Sequence, residues 1–270
     1  MPAVADRPLV IAGRTFRSRL FLGTGKYRSF EEMRACHEAS GTEMVTVAVR
    51  RVDFARASGP NVLDFVDASK IALLPNTAGC FTADDAIRTA RLGREALGTH
   101  WVKLEVLGDP DLLLPEPLGT VEATRALTRE GFACLVYCSD DPLLARRLAD
   151  EGAAAVMPAG SPIGSGRGVL NPLNVRFIRE RVAVPTVVDA GVGTASDVAL
   201  AMELGVDAVL LNTAVAGADE PVRMARAMKL ACEAGREAFL AGRIPRRDHG
   251  APSSPVEGGL GTAAAKAGAP

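Results

Sequence analysis

Eight times along the chain a short apolar run rich in Val, Leu and Ile closes on Gly, Asn, Asp or Thr and gives way to an amphipathic stretch carrying charge. That alternation is the signature of strand–helix units and of a parallel sheet. Strands are expected near Leu20–Gly23, Met44–Val49, Ala72–Pro75, Trp101–Val106, Ala133–Cys138, Ala155–Ala159, Thr186–Asp189 and Ala208–Asn212. Helices are expected over Ser29–Ser40, Asn61–Ala68, Ala83–Leu97, Thr120–Glu130, Pro142–Glu151, Pro172–Arg181, Ala195–Leu204 and Pro221–Ala241. Eight such units in 270 residues predict an α/β fold closed as a single (β/α)8 barrel rather than an open doubly wound sheet. No G-x-G-x-x-G opens the first helix, which argues against a dinucleotide fold.

Boundary signals support this division. Thr194 and Ser196 can cap the seventh helix, Pro142 and Pro221 suit first-turn positions, and Gly131, Gly152 and Gly205 follow the ends of three others. Upstream, Pro8–Arg17 carries Leu9-Val10-Ile11 and a turn at Ala12-Gly13, the pattern of a small hairpin across the barrel's bottom. The catalytic domain is expected over residues 1–247, and residues 248–270, rich in Ala, Gly, Pro and Ser, read as a flexible tail.

With 48% hydrophobic residues but only 4% aromatic ones, the core must be built from aliphatic and Ala side chains. A net charge of -1 leaves no global field to attract nucleic acid or an anionic membrane, so any anion must be bound locally. Cys36, Cys80, Cys134, Cys138 and Cys232 form an odd set without a C-x-x-C pair, and no secretory signal precedes them, which predicts a reducing cytoplasm. Cys134 and Cys138 would share one face of a strand as buried structural thiols. No run approaches the roughly 20 apolar residues of a membrane span.

The most informative run is Trp101-Val102-Lys103-Leu104-Glu105-Val106, because alternation along a strand puts Lys103 and Glu105 on one face. In a barrel that face is the interior, where an ammonium and a carboxylate cost several kcal/mol unless they pair or hold a ligand. One explanation is a structural ion pair. The other is imine chemistry, in which a desolvated lysine attacks a carbonyl while a neighbouring carboxylate moves protons. A charged Glu105 favours protonated Lys103, so arrival of substrate must change how they share the proton.

At the end of the seventh strand, Asp189 is followed by Ala190-Gly191-Val192-Gly193-Thr194, a Gly-rich turn into a helix start that can cradle phosphate or be only a tight connection. Leu211-Asn212-Thr213-Ala214 after the eighth strand and Gly160–Gly168 after the sixth converge on the same rim. Within the latter, Arg167 could neutralise phosphate or stand solvated. Gly23-Thr24-Gly25-Lys26 lacks the full phosphate-loop spacing, so no nucleotide role is assigned to it. Asn76-Thr77-Ala78-Gly79 is a further polar rim turn without an assigned task, and Asp140 and Asp141 read as helix caps.

The segments FLGTGKY, LLPNTAGC, WVKLEV, MPAGSPIGSGRG, VVDAGVGT and LLNTAVAGA, in this order and spacing, resemble bacterial thiazole synthase over roughly Leu9 to Leu260. The resemblance implies a (β/α)8 TIM barrel that condenses 1-deoxy-D-xylulose 5-phosphate, dehydroglycine and sulfur from a small thiocarboxylated carrier protein into the thiazole phosphate carboxylate precursor of thiamine. It implies Lys103 as the imine-forming lysine, Glu105 and Asp189 as acid–base groups, and Gly164, Ala190, Gly191, Asn212 and Thr213 as ketose phosphate contacts. It implies a homo-oligomer and demands no metal or redox cofactor. Gly261–Pro270 extends past the family's usual finish. An aldolase-type Schiff-base lyase is the rival enzyme, separable by its products. A non-catalytic sugar-phosphate-binding scaffold would not need Lys103 beside Glu105.

Overall fold

The computed structural model describes residues 6–51 and 61–253. A hairpin of β1 (Leu9–Ile11) and β2 (Arg14–Phe16) precedes eight parallel strands: β3 (Leu20–Gly23), β4 (Met44–Ala48), β5 (Ala72–Asn76), β6 (Trp101–Leu104), β7 (Ala133–Cys138), β8 (Ala155–Pro158), β9 (Val187–Asp189) and β10 (Ala208–Leu211). Their order is β8-β7-β6-β5-β4-β3-β10-β9, and parallel bridges from Val156 to Thr186 and from Ala159 to Asp189 join the two ends. The sheet therefore closes into the expected barrel. Around it lie α1 (Phe30–Ser40), α2 (Ala83–Leu97), α3 (Pro117–Arg129), α4 (Pro142–Asp150), α5 (Pro172–Arg181), α6 (Ala195–Glu203), α7 (Thr213–Ala216) and α8 (Pro221–Ala241).

Local chemistry accounts for the boundaries. Asp141 caps α4 by accepting from the Leu143 N–H at 2.8 Å, and Pro142 and Pro221 occupy first-turn positions of α4 and α8. Three expectations are corrected. The helix expected over Asn61–Ala68 is a single 3-10 turn at Val62–Phe65: Asn61 and Asp64 form a capping box, but Val66 is already extended and the Asp67 carboxylate takes the Ser69 N–H instead of letting the helix continue. Helix α3 begins at Pro117, ahead of the expected Thr120, because Glu116 accepts from the Leu118 and Gly119 amides. Strand β6 stops at Leu104, since the Glu105 N–H donates to the Thr77 hydroxyl rather than to a neighbouring strand. The short helix α7 was not expected.

Strand alternation divides the core. Outward residues such as Val102, Leu104, Cys134, Val136 and Cys138 pack with the helices, and burial pushes the Cys134 and Cys138 thiols up to about 12. Inward residues Phe21, Met44, Leu74, Trp101, Leu135, Met157 and Leu210 fill the lower barrel together with Leu9, Ile11 and Phe16 of the hairpin. The hairpin thus plugs the bottom. Residues 242–253 are exposed without helix or strand, and the remainder of the expected tail lies outside the described residues. No helix among the described residues is long and apolar enough to cross a membrane.

Phe16 is the plug's main anchor, with its ring edge-on to Phe21 at 5.4 Å and to Trp101 at 6.0 Å. Phe16→Ala is expected to cost about 3–5 kcal/mol of unfolding free energy, measured by denaturant titration. A loss below about 1 kcal/mol would mean that the hairpin is not part of the cooperative core.

Candidate active site

Above the apolar filling, the barrel interior turns polar. Lys103 stands at the register position of Leu135, and Asp189 at that of Leu210, so both side chains point inward over a floor of aliphatic groups. Lys103, Glu105 and Asp189 are only 5%, 3% and 2% exposed. The Lys103 Nζ lies 2.7 Å from Asp189 Oδ2 and 3.0 Å from Glu105 Oε1, so one ammonium joins two carboxylates carried on nearly opposite walls. Tyr137 closes one side: its ring centroid is 5.6 Å from the same Nζ, and its hydroxyl donates to the Leu113 carbonyl.

Electrostatics set the resting protonation. Burial pulls the Lys103 ammonium toward losing its proton, but attraction to Asp189 and then Glu105 outweighs it, and the net shift is upward. Burial also pushes the Asp189 carboxyl up to about 6; Lys103 opposes that shift and Glu105 adds to it. Two anions share one cation with little of water's screening, so near neutrality the proton rests on Lys103, beside an Asp189 carboxyl whose affinity for it is raised.

A cavity of about 700 Å³ opens over this cluster, and Lys103, Glu105, Gly164, Asp189, Ala190, Gly191, Asn212 and Thr213 all line it. The structure brings every expected site residue to one place. Three loops meet there because their backbones lack side chains at the contacts. Gly191, at φ +79°, has no room for a Cβ, which would fall 2.0 Å from Ser161 Oγ, and its carbonyl accepts from the Gly168 N–H at 2.8 Å. Ala190 shares the left-handed conformation at φ 72°. The start of α6 is already occupied by the chain's own anion: Asp197 Oδ2 accepts from the Gly193 and Thr194 amides at 2.9 and 3.1 Å. Those two amides of that helix end are therefore not free for an external anion.

The cation at that position is one the sequence reading passed over. Lys26, at φ 68°, lines the cavity, and a Cβ built on Gly164 would lie 3.9 Å from both Lys26 Nζ and Thr213 Oγ1. Its loop is held by Asn212, whose Nδ2 donates to the Gly25 carbonyl at 2.7 Å, and by the Thr24 hydroxyl, which donates to the Thr46 carbonyl. Arg167, by contrast, is exposed and does not line the cavity. The only signal for Lys26 in the sequence is its place just after the first strand. Among the described residues no group of His, Cys, Asp and Glu could hold a metal ion.

Comparison with known proteins identifies the family. A thiazole synthase of Myxococcus xanthus is 60% identical over 256 residues, covering 95% of this chain and 98% of that protein. A thiazole synthase of Solibacter usitatus is 59% identical over 254 residues, covering 94% and 98%. Among solved structures, the crystal structure of the Amycolatopsis orientalis BexX/CysO complex contains a chain that superposes with a TM-score of 0.82 at 36% identity, covering 90% of this chain and all of that one. The family described as thiazole biosynthesis protein ThiG matches residues 10–255, and the chain belongs to it.

Proposed function

We propose that this chain is a thiazole synthase in which Lys103 forms an imine with 1-deoxy-D-xylulose 5-phosphate, and that it builds the thiazole phosphate carboxylate from that ketose, dehydroglycine and carrier-borne sulfur. The observation that carries the reading is a buried lysine 2.7 Å from an inward aspartate, beneath a cavity rimmed by glycine loops. The substrates are those that the family resemblance implies.

The chemistry follows from the charges. Lys103 gives its proton to Asp189, and the free amine attacks the C2 ketone; the Nζ–C2 bond forms and the ketone oxygen leaves as water. The protonated imine draws electrons from C3, and Glu105 or Asp189 removes the C3 proton to give an enaminol. Return of a proton to C2 and loss of the hydroxyl proton leave a ketone at C3, with Nζ still on C2. The carrier's thiocarboxylate sulfur adds at C3, its acyl group passes to the C3 oxygen and leaves with it as the carrier's carboxylate, and the C2–C3 pair shifts back to a C2 imine and a C3 thiol. The dehydroglycine nitrogen adds at C2, the sulfur closes on its imine carbon, and Lys103 leaves C2 as the free amine. The phosphate rests among Gly164, Ala190, Gly191, Asn212 and Thr213, where Lys26 supplies the positive charge.

Support for a protein partner comes from the BexX/CysO complex, in which the similar chain is solved together with a second protein. The same reading includes a homo-oligomer acting in the cytoplasm.

Four outcomes are expected. Borohydride added with 1-deoxy-D-xylulose 5-phosphate should leave a fixed mass on Lys103, absent in Lys103→Arg along with turnover; an unlabelled Lys103 rules out the mechanism. The trapping rate should rise as pH is raised from about 6 to 9, because the carboxylates hold the amine protonated and the free fraction grows with pH. In Asp189→Asn that profile should move to lower pH by about 1 unit or more, since the nearest anion is gone, while turnover falls about 100-fold or more for want of the proton carrier. An unmoved profile would place the shared proton elsewhere. Lys26→Gln should raise the KM for the ketose phosphate about tenfold or more, as loss of a charged contact does, and an unchanged KM removes Lys26 from the phosphate site.

A further inference from the structure

The cavity has a second positive group on the wall formed by β4 and β5. Arg50 follows β4 in the short turn Val49–Arg51 and lines the cavity with Asn76, Ala78, Gly79 and Phe81. Its guanidinium lies against the turn after β5: Nη2 is 3.6 Å from Cys80 Sγ, and a Cβ on Gly79 would fall 3.3 Å from Nη1. Among the described residues no carboxylate lies within ion-pairing distance of Arg50, and the Gly79 N–H has no acceptor. Apart from the Nη2 donation to the Cys80 sulfur, the guanidinium therefore has donors to spare at the rim beside the Gly79 turn.

What distinguishes this corner from an ordinary solvated arginine is how the turn is anchored. The Thr77 N–H donates to the Lys103 carbonyl at 3.2 Å, and the buried Thr77 hydroxyl donates to the Glu105 carbonyl and accepts from the Glu105 N–H, both at 2.8 Å. The Cys80 carbonyl accepts from the Leu107 N–H at 2.8 Å. The turn that Arg50 rests on is thus tied to the backbone carrying Lys103 and Glu105, at a fixed offset from the imine-forming nitrogen. Lys26 and Arg50 come from successive strand-end loops, but only Lys26 abuts Gly164 and Thr213. One cation serves the phosphate loops and the other does not.

The proposed condensation brings two small anions into this cavity: a phosphate ester and a two-carbon carboxylate bearing an imine. We propose that Arg50, with the Gly79 N–H, binds the carboxylate of that two-carbon imine and aims its C=N group at the carbons held on Lys103. The inference rests on the function proposed above. A guanidinium beside a backbone N–H matches the paired oxygens of a carboxylate, a fit that an ammonium does not reproduce.

The test uses the intact chain with glyoxylate and an ammonium salt, which condense in solution to the two-carbon imine. Arg50→Gln should raise the glyoxylate concentration needed for half-maximal turnover about tenfold or more, Arg50→Lys should restore part of it, and borohydride trapping of the ketose phosphate on Lys103 should be unchanged in both. A labelled Lys103 with an unaltered glyoxylate response overturns this inference alone. So does a rise confined to the carrier protein, which would assign Arg50 to the carrier's C-terminal thiocarboxylate, and so does parallel loss of trapping, which would assign it to the ketose. An unlabelled Lys103 in the unaltered chain overturns the imine reading and this one with it.

Discussion

One ammonium held between two carboxylates inside a nearly dry barrel is the constraint on which the site depends. Taking three charged groups from water costs several kcal/mol for each ion, and the attraction among them recovers this only at short range. The 2.7 and 3.0 Å separations meet that condition for Lys103, yet one negative charge remains in excess while both carboxylates are ionised. Burial is the main cause of the elevated Asp189 carboxyl and the charge of Glu105 adds to it, which brings its proton affinity closer to that of the neighbouring ammonium. Its stability consequence has a definite sign. Folded Asp189 keeps a proton that the unfolded chain has lost between pH 3.8 and about 6, so its contribution favours the folded state below that window and fades as pH rises through it.

The loops above this cluster are arranged by close backbone approach. Gly191 against Ser161, and Gly193 against Gly166, join the loop after β9 to the loop after β8 so tightly that no side chain could intervene. Asp197 binds two amides at the start of α6 and removes that helix end from ligand binding. The room left for an anion lies between loops, where Lys26 reaches Gly164 and Thr213. Lys26 and Arg50 stand on separate loops of the rim, above the buried cluster.

Much of this was legible in the chain. Apolar runs and their glycine, asparagine or aspartate endings located the strands, because strand length and strand-end chemistry are local properties. The inward pairing of Lys103 and Glu105 followed from alternation along one strand, although β6 itself stops at Leu104 and Thr77 continues the alignment. The expected helix over Asn61–Ala68 was misread because its polar residues hydrogen-bond their own backbone, a competition that periodicity does not register. Lys26 was passed over because its loop was measured against a nucleotide motif, whereas its place beside Gly164 and Thr213 comes from neighbours far along the chain.

By itself, the sequence determined the number of strand–helix units, the barrel they close into, and the residue types able to carry imine chemistry, since periodicity, turn chemistry and side-chain charge are properties of short segments. Only the tertiary structure decided that Asp189 rather than Glu105 is the nearer partner of Lys103, that Asp197 occupies the helix end, and that Lys26 and Arg50 serve different loops of one cavity. Those are distances between segments remote in sequence, and the closure of the barrel is what sets them.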